Sequence, residues 1–364
     1  MKIPIARPDI TNDEIEAVTE TMKTGWVTQG SKVEEFEKLF AEYCGAKYGI
    51  ATSSGTTAIH VALASIGIQH GDEVITTPLS CVSTANPILY LNAKPIFADV
   101  ESSTLNLDPA TTRKKLSTKT KAILPVHMFG HPVDLDPILE IAEKHGIYIV
   151  EDAAHALGAK YKGKAVGSLG HIACFSFYGD KIITTAEGGI VLTNNEALAE
   201  KMRMLRNHGM NKHRKFHHSI LGYNYKMSDI HAAIGTVQMQ KLDKYIQKRR
   251  TNVEYLNKQL NGLALNLPTE QDYAFNVYYV YHLIADKGKE QAVKQLEKQG
   301  IETRPLLSLI PEQPPYQNLG YNSHDYAIAK NAHQKGFYVS NSPLLTQDEL
   351  RYMTSVLRKA FGQH

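Results

Sequence analysis

The chain has 364 residues, 43% hydrophobic and 21% charged, which reads as a globular protein with room for a large α/β domain and a smaller companion. Its net charge is +3 with both signs mixed along the chain, so no basic tail points to nucleic acid or an anionic membrane. Three cysteines, Cys44, Cys81 and Cys174, are odd in number and far apart, which supports neither a disulfide framework nor a zinc knuckle. The opening MKIPIARPDITNDE lacks the apolar core of a signal peptide and no later run approaches a membrane span, so a cytoplasmic protein is expected.

Thr11-Asn12-Asp13-Glu14 opens a first helix, a capping residue followed by acids that favour the positive end of the helix dipole. Gly25 to Gly30 interrupts the pattern before a second amphipathic helix, Lys32 to Tyr43. Tyr48 to Ala51 reads as a short strand, followed by Thr52-Ser53-Ser54-Gly55-Thr56-Thr57 and an apolar helix from Ala58 to Ile66. Strand, small polar turn and helix make an anion site, because the free N–H groups of the first turn point outward. The same residues also make an ordinary helix cap. Strands at Glu73 to Thr76, Pro95 to Ala98, Ala122 to Val126 and Ile147 to Val150 then alternate with helices at Ser83 to Leu91, Pro109 to Leu116 and Asp136 to His145. That alternation predicts an α/β fold, a mainly parallel sheet sandwiched by helices.

Two strand ends carry the chemistry. The run Ile147 to Val150 stops at Glu151 and Asp152, and the run Ile172 to Phe177 stops at Tyr178-Gly179-Asp180-Lys181. In alternating α/β chains, ligands bind at the carboxyl ends of parallel strands. A carboxylate for a pyridine nitrogen and an amine for an aldehyde are what a protein supplies to pyridoxal 5'-phosphate, PLP. Either residue alone is commonplace. The acid, the lysine and an upstream Ser/Thr-Gly turn, in that order, carry the reading together. Lysine is also the one side chain that joins an aldehyde covalently and then, as a free amine, shuttles a proton.

Further on, Glu187-Gly188-Gly189 turns into a strand, and a helix runs from Glu196 to Arg206. His208, His213, His217 and His218 crowd a polar loop. The spacing of His213 and His217 suits a metal on a helix, but no apolar helical face or partner acid accompanies them, so a solvated loop and no metal are expected. Ser228-Asp229 caps a long helix towards Arg250. Beyond Thr251 a strand at Val277 to Ala285, a helix at Lys289 to Gln299, a strand at Ile301 to Pro305 and a closing helix at Asp348 to Phe361 predict a smaller α+β domain. The expected division is 1–250 and 251–364.

EDAAHALGA, then FSFYGDK, then EGG resemble the DegT/DnrJ/EryC1/StrS sugar aminotransferases, PLP enzymes of fold type I. The resemblance covers most of the chain and is dense from Gly25 to Gly235. It implies a large domain with a sheet of the seven-stranded type. It also implies Lys181 as cofactor anchor and proton shuttle, Asp152 at the pyridine nitrogen and His155 near the ring hydroxyl. Ser54, Gly55, Thr56 and Ser176 would hold the phosphate. Asn224, in the GYNYKM segment, would reach the phosphate of a neighbouring subunit, making a homodimer with shared active sites. Cys81 departs from the pattern: the family usually places an aromatic ring there to stack on the cofactor, and a thiol packs without stacking. As a nucleophile Cys81 has no histidine or acid nearby in sequence.

The reaction implied is transfer of an amino group from glutamate to a keto group of a nucleotide-linked, 4-keto-6-deoxy sugar during polysaccharide or glycan precursor synthesis. Relatives that dehydrate sugars carry His where this chain has Lys181. A non-catalytic regulatory relative would not need the set Asp152, His155, Ser176 and Lys181. Metal-dependent hydrolysis finds neither a His-Glu-x-x-His helix nor a Walker-type loop.

Overall fold

The computed structural model describes residues 1–211, 214 and 216–362. The apolar runs assemble into one sheet in the spatial order Tyr48–Thr52, Gly189–Thr193, Ile172–Ser176, Tyr148–Asp152, Thr120–Leu124, Glu73–Thr76 and Lys94–Phe97. Every neighbouring pair is parallel except those made by Gly189–Thr193, which runs antiparallel to both its neighbours. Helices cover both faces, so successive strand residues are buried rather than alternately exposed; Ile149 and Val150 are both fully buried. Val150 packs in a cluster with Ala58 and Ala62 of the helix Gly55–Ser65, whereas Ile149 packs with Ile138 and Ile141 of the helix Leu135–His145.

That pleat decides the fate of the two acids at the strand end. Glu151 follows Ile149 to its face of the sheet, where its Oε2 lies 2.9 Å from His127 Nε2 and its Oε1 accepts from the Gly170 N–H at 2.7 Å. Asp152 follows Val150 to the opposite face.

The helix Asp229–Leu260 packs on the helices Asn12–Lys23 and Ser31–Cys44. Buried Asp229 caps the second of these from a distance: its Oδ1 accepts from the N–H groups of Gly30 at 2.7 Å and Val33 at 3.1 Å. The helix runs without a break through residue 250, and Val253, Leu256 and Leu260 join a separate apolar cluster with Ile3, Tyr281 and Phe337. A four-stranded antiparallel sheet accompanies that cluster, in the order Leu265–Asn266, Tyr281–Ala285, Gly336–Val339 and Arg304–Pro305. Two strands are shorter than their apolar runs predict. Residues 277–280 leave the sheet because the Val277 and Tyr279 N–H groups donate instead to the Gly130 and Phe129 carbonyls, at 3.2 and 2.8 Å. Ile301 bridges to Ile3, and only Arg304–Pro305 pair in the sheet. No helix among the described residues is long and apolar enough to cross a membrane.

Candidate active site

Parallel strands with polar residues at their carboxyl ends leave a cleft along that edge of the sheet. Ser54, Gly55, Thr56, Cys81, Asp152, His155, Ser176 and Lys181 all line it. Eight of the nine residues expected from the sequence thus converge on one cavity, although they come from four separate stretches of chain. Asn224 does not line it. Its Oδ1 accepts from Lys226 Nζ at 2.6 Å on the exposed side of the 221–228 segment. That segment is nevertheless tied to the cleft, since the Ser53 N–H donates to the Tyr225 carbonyl at 2.9 Å.

Asp152 is 4% exposed. Its Oδ2 accepts from Thr84 Oγ1 at 2.8 Å and its Oδ1 from the Ala154 N–H at 3.2 Å. Burial pushes the carboxyl above its ordinary range; the Thr84 hydroxyl, the Ala154 N–H, and the charges of Lys181 and His127 oppose that push. Thr84 carries no charge and no catalytic signature, so residue type alone did not single it out. Its signal was position, one turn into the helix that follows a strand end.

Lys181 follows the strand Ile172–Ser176, in a turn closed by its own N–H donating to the Tyr178 carbonyl at 2.9 Å. It is half-buried. Burial lowers the affinity of its amine for a proton, and Asp180, Asp152 and Cys81 partly restore it. His155 is 6% exposed, and burial followed by the Lys181 charge holds its imidazole well below the ordinary value, hence neutral at pH 7. Its ring lies parallel to Tyr279, 4.5 Å between centroids and 11° between planes. Tyr279 arrives from the 277–280 crossover, and nothing in the sequence marked it.

At the far end of the cleft, Ser54 caps the helix Gly55–Ser65 by accepting from the Thr57 N–H at 3.2 Å. The helix begins against Ser176: a Cβ at position 55 would lie 2.7 Å from Ser176 Cβ. Cys81 is exposed and free, at the start of the helix Val82–Tyr90. Of the loop histidines, His213 lies outside the described residues. His218 Nδ1 is 2.8 Å from the His208 carbonyl oxygen, and His217 is exposed. No group of three or more metal-ligating side chains occurs among the described residues.

These residues fit PLP on three observations. A buried carboxylate lines the cleft with no ion-pair partner among the described residues, as a protonated pyridine nitrogen requires. The buried Nδ1 of His155 has no hydrogen-bond partner among the described residues, which leaves that nitrogen of a cleft-lining ring available to a ligand. The helix start at Gly55 has room only for a backbone, leaving first-turn N–H groups open to an anion.

The sheet order and this acid–lysine edge define a fold type I PLP enzyme. The model of the DegT/DnrJ/EryC1/StrS aminotransferase family matches residues 8–358, and the chain belongs to that family as a PLP-dependent aminotransferase. It is 40% identical to the GDP-perosamine synthase of Caulobacter vibrioides, over 98% of this chain and 97% of that one. It is 36% identical to the spore coat polysaccharide biosynthesis protein SpsC of Bacillus subtilis, over 98% and 96% of the two chains. Among solved structures, Helicobacter pylori PseC, an aminotransferase involved in the biosynthesis of pseudoaminic acid, superposes with a TM-score of 0.94 at 27% identity, covering 100% of both chains.

Proposed function

We propose that the chain moves an amino group from glutamate to the keto carbon of a nucleotide-linked sugar, a 4-keto-6-deoxyhexose, in the synthesis of a polysaccharide or glycan precursor. The observation that carries this reading is the convergence of Lys181, Asp152 and the Gly55–Ser176 cradle on one cleft. The names of two relatives support the sugar and favour a GDP carrier: GDP-perosamine synthases of Caulobacter vibrioides and, at 34% identity, Escherichia coli O157:H7.

When bound, PLP supplies an electron sink for the carbanion at the substrate carbon. Lys181 Nζ would hold the cofactor aldehyde and, as a free amine, would move the proton at the substrate carbon; its lowered proton affinity suits that work. Asp152 would keep the pyridine nitrogen protonated, and the Thr84 hydroxyl and the Ala154 N–H favour the ionised carboxylate against the opposing effect of burial. His155 orients the ring hydroxyl. Ser54, the Gly55 and Thr56 N–H groups and the Ser176 hydroxyl bind the phosphate. Asn224, exposed and outside the lining of its own cleft, would contact the phosphate of a second copy in a homodimer. Cys81, which lines the cleft, would offer the cofactor a thiol in place of an aromatic stack.

Purified protein carrying PLP on Lys181 is yellow, bleaches with borohydride, and loses both properties in Lys181→Ala. A screen of nucleotide-linked keto-sugars with glutamate as donor, read by mass spectrometry, identifies the acceptor. A preparation that stays colourless with added PLP overturns the cofactor roles, and a yellow one that aminates no keto-sugar overturns the substrate.

A further inference from the structure

We propose that Tyr279 is a positioning residue that orients the Lys181 amine and the His155 imidazole through the two of them sharing its ring, an inference that rests on Lys181 being the cofactor anchor.

Tyr279 is 6% exposed and its backbone is held at both ends. Its N–H donates to the Phe129 carbonyl at 2.8 Å, and its own carbonyl accepts from Arg249 Nη1 at 2.7 Å. A ring mounted this way has little freedom to swing. His155 stacks on it at 4.5 Å and also lies parallel to Phe129, at 5.9 Å and 8° between planes. Phe129 in turn stacks on His282 at 4.8 Å. With no hydrogen-bond partner for its buried Nδ1 among the described residues, the His155 ring is oriented by these flat contacts.

Lys181 Nζ sits 4.8 Å from the centroid of the same Tyr279 ring. A cation over an aromatic face is attracted by the ring quadrupole, so the ring favours the charged amine where burial disfavours it. The other ionisable groups acting on that amine are Asp180 beside it, Asp152 across the cleft, Cys81, and His155; Arg249 shares the cavity behind it. Tyr279 differs from all of these in acting without a charge of its own, because burial and the neighbouring Asp180 keep its phenol protonated. A leucine at 279 preserves the enclosure while removing both the π face and the phenol that interacts with Asp180, and a phenylalanine removes the phenol alone, so the pair isolates the π face.

The test follows acylation of Lys181 against pH in the full-length, cofactor-free chain, read by peptide mass spectrometry. Tyr279→Leu is expected to lower the midpoint by about half a pH unit, the size of a modest cation–π contact. Tyr279→Phe is expected to keep the wild-type midpoint and restore the wild-type visible absorption of the PLP-loaded protein. An unchanged midpoint in Tyr279→Leu, or an equal shift in Tyr279→Phe, overturns the proposal. Should the leucine variant not fold, Tyr279→Trp decides the matter: a higher midpoint supports the role, and an unchanged or lower one refutes it. Borohydride fixation of PLP in the wild type reports separately on Lys181 as anchor, so that failure is distinguishable from failure of the Tyr279 role.

Discussion

Thr84 Oγ1 donates to Asp152 Oδ2 at 2.8 Å, and Ser80 Oγ lies 2.8 Å from the same Thr84 hydroxyl. The bond joins the first turn of one helix to the end of a strand 68 positions later. Without it, burial drives the carboxyl further towards its neutral form, which cannot hold a protonated pyridine. A hydrogen bond to a charged group contributes about 1.5–3 kcal/mol, so Thr84→Val should weaken PLP binding roughly 10- to 150-fold. The acid limb of the rate profile should move to higher pH. Thr84→Ser should restore both, as measured by PLP titration and by amino transfer at a series of pH values.

Gly55→Ala should cost cofactor affinity. The added methyl would meet Ser176 Cβ at 2.7 Å and Ser176 Oγ at 3.1 Å, so the helix start has to move off the strand that carries Ser176. The double variant Gly55→Ala, Ser176→Gly should recover stability, because the clash is gone. It should not recover PLP affinity, because a phosphate donor is gone too. Thermal melts with and without PLP separate the two effects.

Arg206 and Glu37, both more than nine-tenths buried, form an ion pair that holds the strand before the Ser54–Thr56 turn. Arg206 Nη1 also donates to the Ala51 carbonyl at 2.7 Å, and the Ala51 N–H donates to Glu37 Oε1 at 2.8 Å. Arg206→Met leaves a carboxylate buried without a cation and should destabilise the fold by about 3–5 kcal/mol. Adding Glu37→Leu should return part of that loss, measured as urea midpoints.

Histidines make the fold sensitive to acid. Burial depresses His60 and His282 from 6.5 to about 4, and His155 falls well below its ordinary value. Below about pH 6.5 the unfolded chain takes up protons that these rings refuse in the folded state, so stability falls as pH drops from 6.5 towards 4. Each ring contributes a slope of about 1.4 kcal/mol per pH unit. Urea midpoints at pH 7.5, 6 and 5 should decline, and His282→Leu should flatten the decline by one histidine's share.

Much of the cleft was legible beforehand because its chemistry sits where apolar runs stop. Asp152 ends a strand and Lys181 follows one, and Ser54, Gly55 and Thr56 form the cap and first turn of the helix after another strand, so local pattern and the geometry of parallel sheets suffice to bring them to one edge. Glu151 and Asp152 were harder to tell apart. Adjacent acids look alike in one dimension, and only the pleat sends one to His127 and the other to the cleft. The division expected after residue 250 falls inside one continuous helix, whose Val253, Leu256 and Leu260 carry an apolar stripe onward that packs in a second cluster.

By itself, then, the sequence determined the alternation of strands and helices, the class of cofactor and the residue types at the strand ends. These depend on short-range periodicity and on side-chain chemistry. Tertiary structure alone decided that Thr84 supports Asp152, that Tyr279 lies under both Lys181 and His155, and that Asn224 does not line the cleft. Such relations join residues whose separation along the chain carries no period, and they exist only once packing has brought the elements together.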